Sequence, residues 1–268
     1  MKQMLLGGIL LLCLHTVPIV AQEEAAEEDT TRWSLTLGTK YLSQYTSYGV
    51  DLSDDQSALQ HSLGITHRSG WSLGIDGIQV LGSNSRFQQW SMKIGYEYEC
   101  TDWLTAGAGF SHTEYRSDTV SILAPLANSL ALALDADFSV ASVGITYDKY
   151  FGSNSAGYLG VNISRSLEWG KLIIMPMVQA SWMSQEVLTA LLKQNSGKGL
   201  SKNPKFASTT TSVTGLSSLS IHLVAVYPVG HGLTLAVHPY FLHSPKSEVS
   251  SKTSQLLFIA GVSYSLGL

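Results

Sequence analysis

The sequence predicts an all-β fold: a transmembrane antiparallel up-and-down β-barrel of about twelve strands, with ten as the alternative. Three observations carry this expectation. From Arg32 onward apolar residues recur at every second position, the period of a strand with one greasy and one polar face, not of a helix. Connections alternate in length, short at 68–70, 100–102, 170–171 and 230–232 but long at 44–57, 116–136 and 186–211. Barrels with tight turns at one rim and long loops at the other have this layout. Aromatic residues gather beside the short turns, at Trp71, Tyr98, Trp103, Trp169 and Tyr227, where an interfacial girdle would place them.

The strands follow in order from the alternation. In the clearest stretch Trp90, Met92, Ile94, Tyr96 and Tyr98 alternate with Ser91, Lys93, Gly95, Glu97 and Glu99. The same rule holds for Trp33, Leu35 and Leu37, for Trp71, Leu73 and Ile75, and for Leu159, Val161 and Ile163. It returns at Leu219, Ile221 and Leu223, at Leu233, Leu235 and Val237, and from Leu256 to the end of the chain. Eleven strands are expected at about 32–43, 58–67, 71–80, 87–99, 103–115, 137–150, 157–169, 171–184, 212–228, 232–243 and 254–267. Bacterial single-chain barrels have even strand numbers, so a twelfth is sought in 117–135, where 129–134 has β-compatible residues. The stretch 120–134 is unusually apolar, with Ile122, Leu123, Leu126, Leu130, Leu132 and Leu134. It is expected to supply that strand, to fold inward as a constriction, or to meet a hydrophobic solute.

Composition narrows the class further. Only 13% of the 268 residues are charged, about half the globular average, and Lys+Arg 16 against Asp+Glu 20 leaves no basic excess to recruit a nucleic-acid backbone. Past the first 21 residues no uncharged apolar run reaches the length of about 18 that a spanning helix needs. Strands of about 9 to 11 residues cross the hydrocarbon layer when tilted, and they must close on themselves because lipid offers a backbone amide no partner.

The amino terminus reads as an export signal over 1–21: Met1 and Lys2, an apolar core at 5–14, and Ile19, Val20 and Ala21 before the cut. The mature chain is expected to start at Gln22. Cys13 behind Leu10, Leu11 and Leu12 suggests a lipoprotein signal as the rival, but leucine stands where that signal needs a small residue. Cleavage removes one of the two cysteines and leaves Cys100 without a disulfide partner. Residues 22–31, with Glu23, Glu24, Glu27, Glu28 and Asp29, are expected to be an acidic flexible tail, and the barrel to occupy 32–268.

Charges on the polar face are the functional lead. Lys40, Asp76, Lys93, Glu97 and Glu168, with His238, are the lumen candidates. A Lys or Arg turned to lipid near the midplane costs about 2–4 kcal/mol, so their placement on the polar face implies a wet or salt-bridged interior. The expected function is a passive channel for small solutes, set by lumen width and these charges. A non-transporting surface, adhesive or structural barrel is the alternative, and an envelope lipid or peptide hydrolase a weaker one. No catalytic residue is assigned: Ser111 precedes His112 and Ser220 lies two before His222, but neither spacing marks a known nucleophile, base and orienting group. No metal or other cofactor is expected, since no two histidines are expected at ligand spacing on a single lumen face and Cys100 has no thiol companion. Lys193, Lys198, Lys202 and Lys205 are expected in a solvated surface loop, with contact to anionic headgroups or surface sugars as the alternative.

The stretch Tyr45-Thr46-Ser47-Tyr48-Gly49-Val50-Asp51-Leu52-Ser53, continuing to Ala58-Leu59-Gln60, resembles the opening hairpin of the TorF-like family of bacterial outer-membrane porins. Tyr45, Gly49, Ala58 and Gln60 match that family's pattern in order and spacing, and Tyr48 stands where the family has arginine. The resemblance covers 35–76 and implies a porin-like barrel in the bacterial outer membrane. The last strand, with Tyr264, Leu266 and Leu268, resembles the signal read by the barrel assembly machinery, ending here in leucine instead of an aromatic residue. The partners so implied are outer-membrane lipid, that machinery during insertion, and small solutes.

Overall fold

The computed structural model describes residues 32–47, 50–51, 56–82, 87–115, 127–152, 155–184, 214–244 and 254–268. The signal segment, the acidic tail and the loop lysines Lys193, Lys198, Lys202 and Lys205 lie outside the described residues. Twelve strands form the wall: β1 Trp33–Leu42, β2 Ala58–His67, β3 Trp71–Val80, β4 Phe87–Thr101, β5 Leu104–Tyr115 and β6 Asn128–Asp137. They continue as β7 Ser142–Phe151, β8 Ser155–Ser164 with its short extension Leu167–Trp169, β9 Leu172–Ser184, β10 Thr214–Gly230, β11 Leu233–His243 and β12 Ser254–Gly267. Each pairs antiparallel with its sequence neighbour, and β12 pairs with β1 from Ser34↔Gly267 to Leu42↔Ile259, which closes the ring.

The expected span 137–150 starts too early: Asp137 ends one strand and the next begins at Ser142. The ladder runs through 128–137, turns over Phe138, Ser139, Val140 and Ala141, and returns through 142–151. The turn was hidden because Phe138 and Val140 are apolar and carry no Gly or Pro; Ser139 supplies the positive φ of 61° in their place. The long connection expected at 116–136 is therefore shorter, and the sought strand begins at Asn128. Leu130, Leu132 and Leu134 are exposed on the outer face, and Ile122, Leu123 and Leu126 of the same apolar stretch lie outside the described residues.

The pairing register fixes which face each residue takes. Leu132 stands level with Ala108 and Tyr147, and Ala131 level with Gly109 and Asp148. Leucines point out and alanines in along β6, and the same parity runs round the barrel. Leu37, Leu63, Ile75, Ile94, Leu132, Ile145, Ile163, Ile221, Leu235 and Val262 are all exposed large apolar side chains on the outer face. A band of this extent far exceeds the largest apolar patch of an ordinary soluble monomer; only hydrocarbon covers it. Among the described residues no helix is long and apolar enough to cross a membrane, so the strands do the crossing.

Aromatic side chains bound the band at both ends. Near the short turns Trp33, Trp71, Tyr98, Trp103, Phe138, Trp169 and Tyr227 are exposed, and Trp71 packs on Tyr96 with ring centroids 4.9 Å apart. Near the loops Tyr41, Phe87, Phe151 and Phe241 are exposed, and outward polar pairs begin there. Trp90 Nε1 donates to Glu114 at 2.7 Å, and His112 lies 2.9 Å from Asn128. From Trp90 to Tyr98 the strand advances about 27 Å, or about 20 Å after barrel tilt, which matches the outer-membrane apolar band.

Two turns depend on glycine. Gly70 and Gly232 have φ of +96° and +77°. Each accepts a hydrogen bond at its carbonyl from the next strand over, from Glu97 N at 3.0 Å and from Ser265 N at 2.9 Å. A Cβ at either position would collide with the carbonyl oxygen of that same residue. Gly70→Ala is expected to lose about 1–3 kcal/mol from the backbone alone, measured as a lower urea midpoint in detergent. A second test addresses the two faces: Leu132→Arg should cost about 2–4 kcal/mol in lipid, while Ala131→Lys, facing inward beside Asp148, should cost far less.

Candidate functional site

The interior is the candidate site, and its chemistry follows from the residues left facing inward. Most are small and polar, tied across strands: Ser111 to Ser129 at 2.7 Å, Thr113 Oγ1 to Ser91 at 3.1 Å, Ser34 to Ser265 at 3.0 Å. These hydroxyls satisfy one another without charge, and Ser91 and Ser129 among them are buried.

Carboxylates cluster on the wall from β4 to β7. Glu97 faces Gly107, Asp135 faces Thr105 and Gly144, and Asp148 faces Ala131 and Tyr158. Glu97 and Asp135 are electrostatic neighbours. Gly144 makes part of this arrangement possible, because a Cβ there would meet Asp135 Oδ1 at 2.7 Å and Asn162 Nδ2 at 2.5 Å. Glu99 and Asp137 continue the acidic face to the exposed short-turn rim.

The wall opposite carries nitrogen bases. His222 on β10 and His238 on β11 meet at 2.8 Å between Nδ1 and Nε2, and His222 Nε2 lies 2.6 Å from Ser220 Oγ. Tyr240 stacks on His222 with centroids 5.1 Å apart and 12° between planes. Lys40 on β1 is near enough to His238 to act on its charge.

At the loop end the interior narrows. Leu42, Ala58, Ile78 and Val80 from β1–β3 pack in one buried cluster with Ala156, Tyr158 and Met183 from β8 and β9. These strands lie about half a circuit apart in the ring, so the cluster bridges the lumen as an apolar collar. Tyr45, just past β1, tucks into it and donates to Gln89 Oε1 at 2.9 Å. Burial, reinforced by Tyr115, pushes the Tyr45 phenol well above its ordinary range, against the smaller opposing effect of Gln89; it stays a neutral donor. Tyr158 is held by Ser181, 2.6 Å from its hydroxyl.

The residues singled out from sequence fall into different places. Lys40 and His238 share one wall. Asp76 and Lys93 form a nearly buried ion pair with each other, so Lys93 brings little net charge to the lumen. Glu97 belongs to the acidic wall. Glu168 sits exposed in the short extension next to the turn at the rim. One expectation is corrected outright: two histidines do meet on one lumen face. The sequence spacing of 222 and 238 concealed this, because a hairpin with an irregularity between Pro228 and Gly230 sets them side by side. Asp135 and Asp148 were missed with the β6–β7 turn; once that turn is known, alternation from Ala131 finds both.

No protein-family model matches the chain, and no curated protein matches it in sequence. Its fold is that of solved porins. The chain is similar to the KdgM porin at 14% identity, covering 86% of this chain and 99% of that one with a TM-score of 0.53. It is also similar to the KdgM porin in complex with disordered oligogalacturonate, at 14% identity, 86% and 99% coverage and a TM-score of 0.52. The NanC porin follows at 10% identity, 87% and 100% coverage and a TM-score of 0.50. At these identities the likeness is one of fold.

If the collar depends on Tyr158, Tyr158→Ala should remove a bridge across the lumen without touching the lipid face. The expected result is a loss of about 3–5 kcal/mol or less, since a water-filled gap relaxes more readily than a dry core, with the heat-modifiable barrel migration retained.

Proposed function

We propose that this chain is a passive channel for small solutes in a bacterial outer membrane, exported on the signal at 1–21 and inserted by the barrel assembly machinery. The observation that carries the reading is a closed twelve-strand wall, apolar outside, with a polar and charged interior below the collar. Twelve strands lie between the filled eight-stranded barrels and the open sixteen-stranded ones. The resemblance of 35–76 to TorF-like porins agrees with it.

The charge pattern sets the preferred solute. With Asp76 and Lys93 paired, Glu97, Asp135 and Asp148 on one wall outweigh Lys40 on the other. Cations and neutral solutes are favoured, and a polyanion such as the oligogalacturonate named with KdgM is not. The collar supports a second reading, a barrel that does not transport, and conductance separates the two.

Purified protein in planar bilayers should give steady, cation-preferring steps. A carboxylate about 6 Å from a passing ion contributes about 0.7 kcal/mol in water, roughly threefold in partition. Glu97→Gln with Asp135→Asn removes two such groups and should therefore lower the cation-to-anion permeability ratio about tenfold, read from reversal potentials in a salt gradient. Tyr45→Ala should enlarge the step by loosening the collar. A folded protein that stays silent in both forms supports the non-transporting barrel.

A further inference from the structure

His222, His238, Ser220 and Tyr240 are not needed to hold the wall together, since their backbones are already paired along β10 and β11. What the side chains offer is a set of metal-ligating atoms. Two imidazole nitrogens, one from each ring, stand 2.8 Å apart. Ligand nitrogens about 2.0–2.1 Å from a shared ion are about 2.9 Å apart when the bond angle is near 90°. Turning both rings so that the two lone pairs converge, with the His238 proton moved from Nε2 to Nδ1, would put a cation where the hydrogen bond now lies.

Three neighbours suit that exchange. Ser220 Oγ lies 2.6 Å from His222 Nε2, placed to accept a hydrogen bond from Nε2–H in the tautomer that leaves Nδ1 with its lone pair, as outer-shell oxygens do for ligating histidines. Met177 stands directly across from His222 in the β9–β10 register and is buried, lining the flank of His222 away from His238. The carboxylate wall concentrates cations in the lumen. Imidazole selects copper-class ions over calcium and magnesium, which need oxygen.

We propose that His222 and His238, backed by Ser220, form a lumen site for one copper-class cation, bound as Cu2+ through the two imidazoles. The remaining positions are filled by water. Lys40, on the same wall, limits the affinity, and the site does not depend on whether the lumen conducts.

The test is equilibrium binding of CuCl2 to the full folded barrel in detergent, with electron paramagnetic resonance of the bound ion. One Cu2+ with nitrogen splitting from two imidazoles is expected, retained against equimolar NiCl2 and untouched by millimolar CaCl2. His222→Asn and His238→Asn should each weaken it on the order of tenfold or more and remove one nitrogen from the spectrum. Lys40→Gln keeps both ligands and should tighten Cu2+ on the order of fivefold, from the charge removed; this variant serves if the histidine variants fail to fold. Equal Cu2+ affinity and spectrum in wild type and in the folded histidine variants would overturn the proposal, as would unchanged affinity in Lys40→Gln. Because the binding readout needs no current, a silent channel that binds Cu2+ rejects only the transport reading, and a conducting channel that does not bind it rejects only this one.

Discussion

Backbone amides in hydrocarbon have nowhere to turn except to each other, and that requirement organises the whole molecule. It demands a closed ring, met where β12 joins β1 in a continuous ladder from Gly267 to Ile259. It also fixes the register at every strand, since a slip of one residue would turn leucines inward and serines to lipid. The tight turns at Gly70 and Gly232 serve the same end, each passing a carbonyl to the neighbouring strand.

Once the register is fixed, the interior is determined by what alternation leaves over. Small polar residues pair with one another; the few charged ones then define two unlike walls, carboxylates from β4 to β7 and nitrogen bases from β10 to β1. Among the described residues the buried apolar cluster forms at the loop end. Polar satisfaction by paired hydroxyls below it and apolar contact at it divide the lumen into a wet part and a constriction.

Most of this architecture was legible in the sequence because period-two alternation reports the face directly. Strands such as 58–67 and 71–80 coincide with the observed bounds, and Asp76, Lys93 and Glu97 fall on the inner face. What the sequence did not reveal is long-range or lacks a local mark. The turn at Phe138 and Val140 has no glycine to announce it, and without it the parity of Asp135 and Asp148 could not be read. The pairing of Lys93 with Asp76, and of His222 with His238, depends on which strands are adjacent and at what offset. The collar joins strands about half a circuit apart, a relation no local pattern encodes.

The central claim is that one side of each strand meets acyl chains and the other meets water. The most direct measurement is a nitroxide scan of β6, one cysteine at a time from 129 to 136 in a Cys100→Ser background, in lipid bilayers. Even-numbered positions should be relaxed by oxygen, which partitions into lipid, and odd-numbered positions by a water-soluble nickel chelate, in strict alternation. Uniform accessibility, or the same alternation with its phase reversed, would contradict the account.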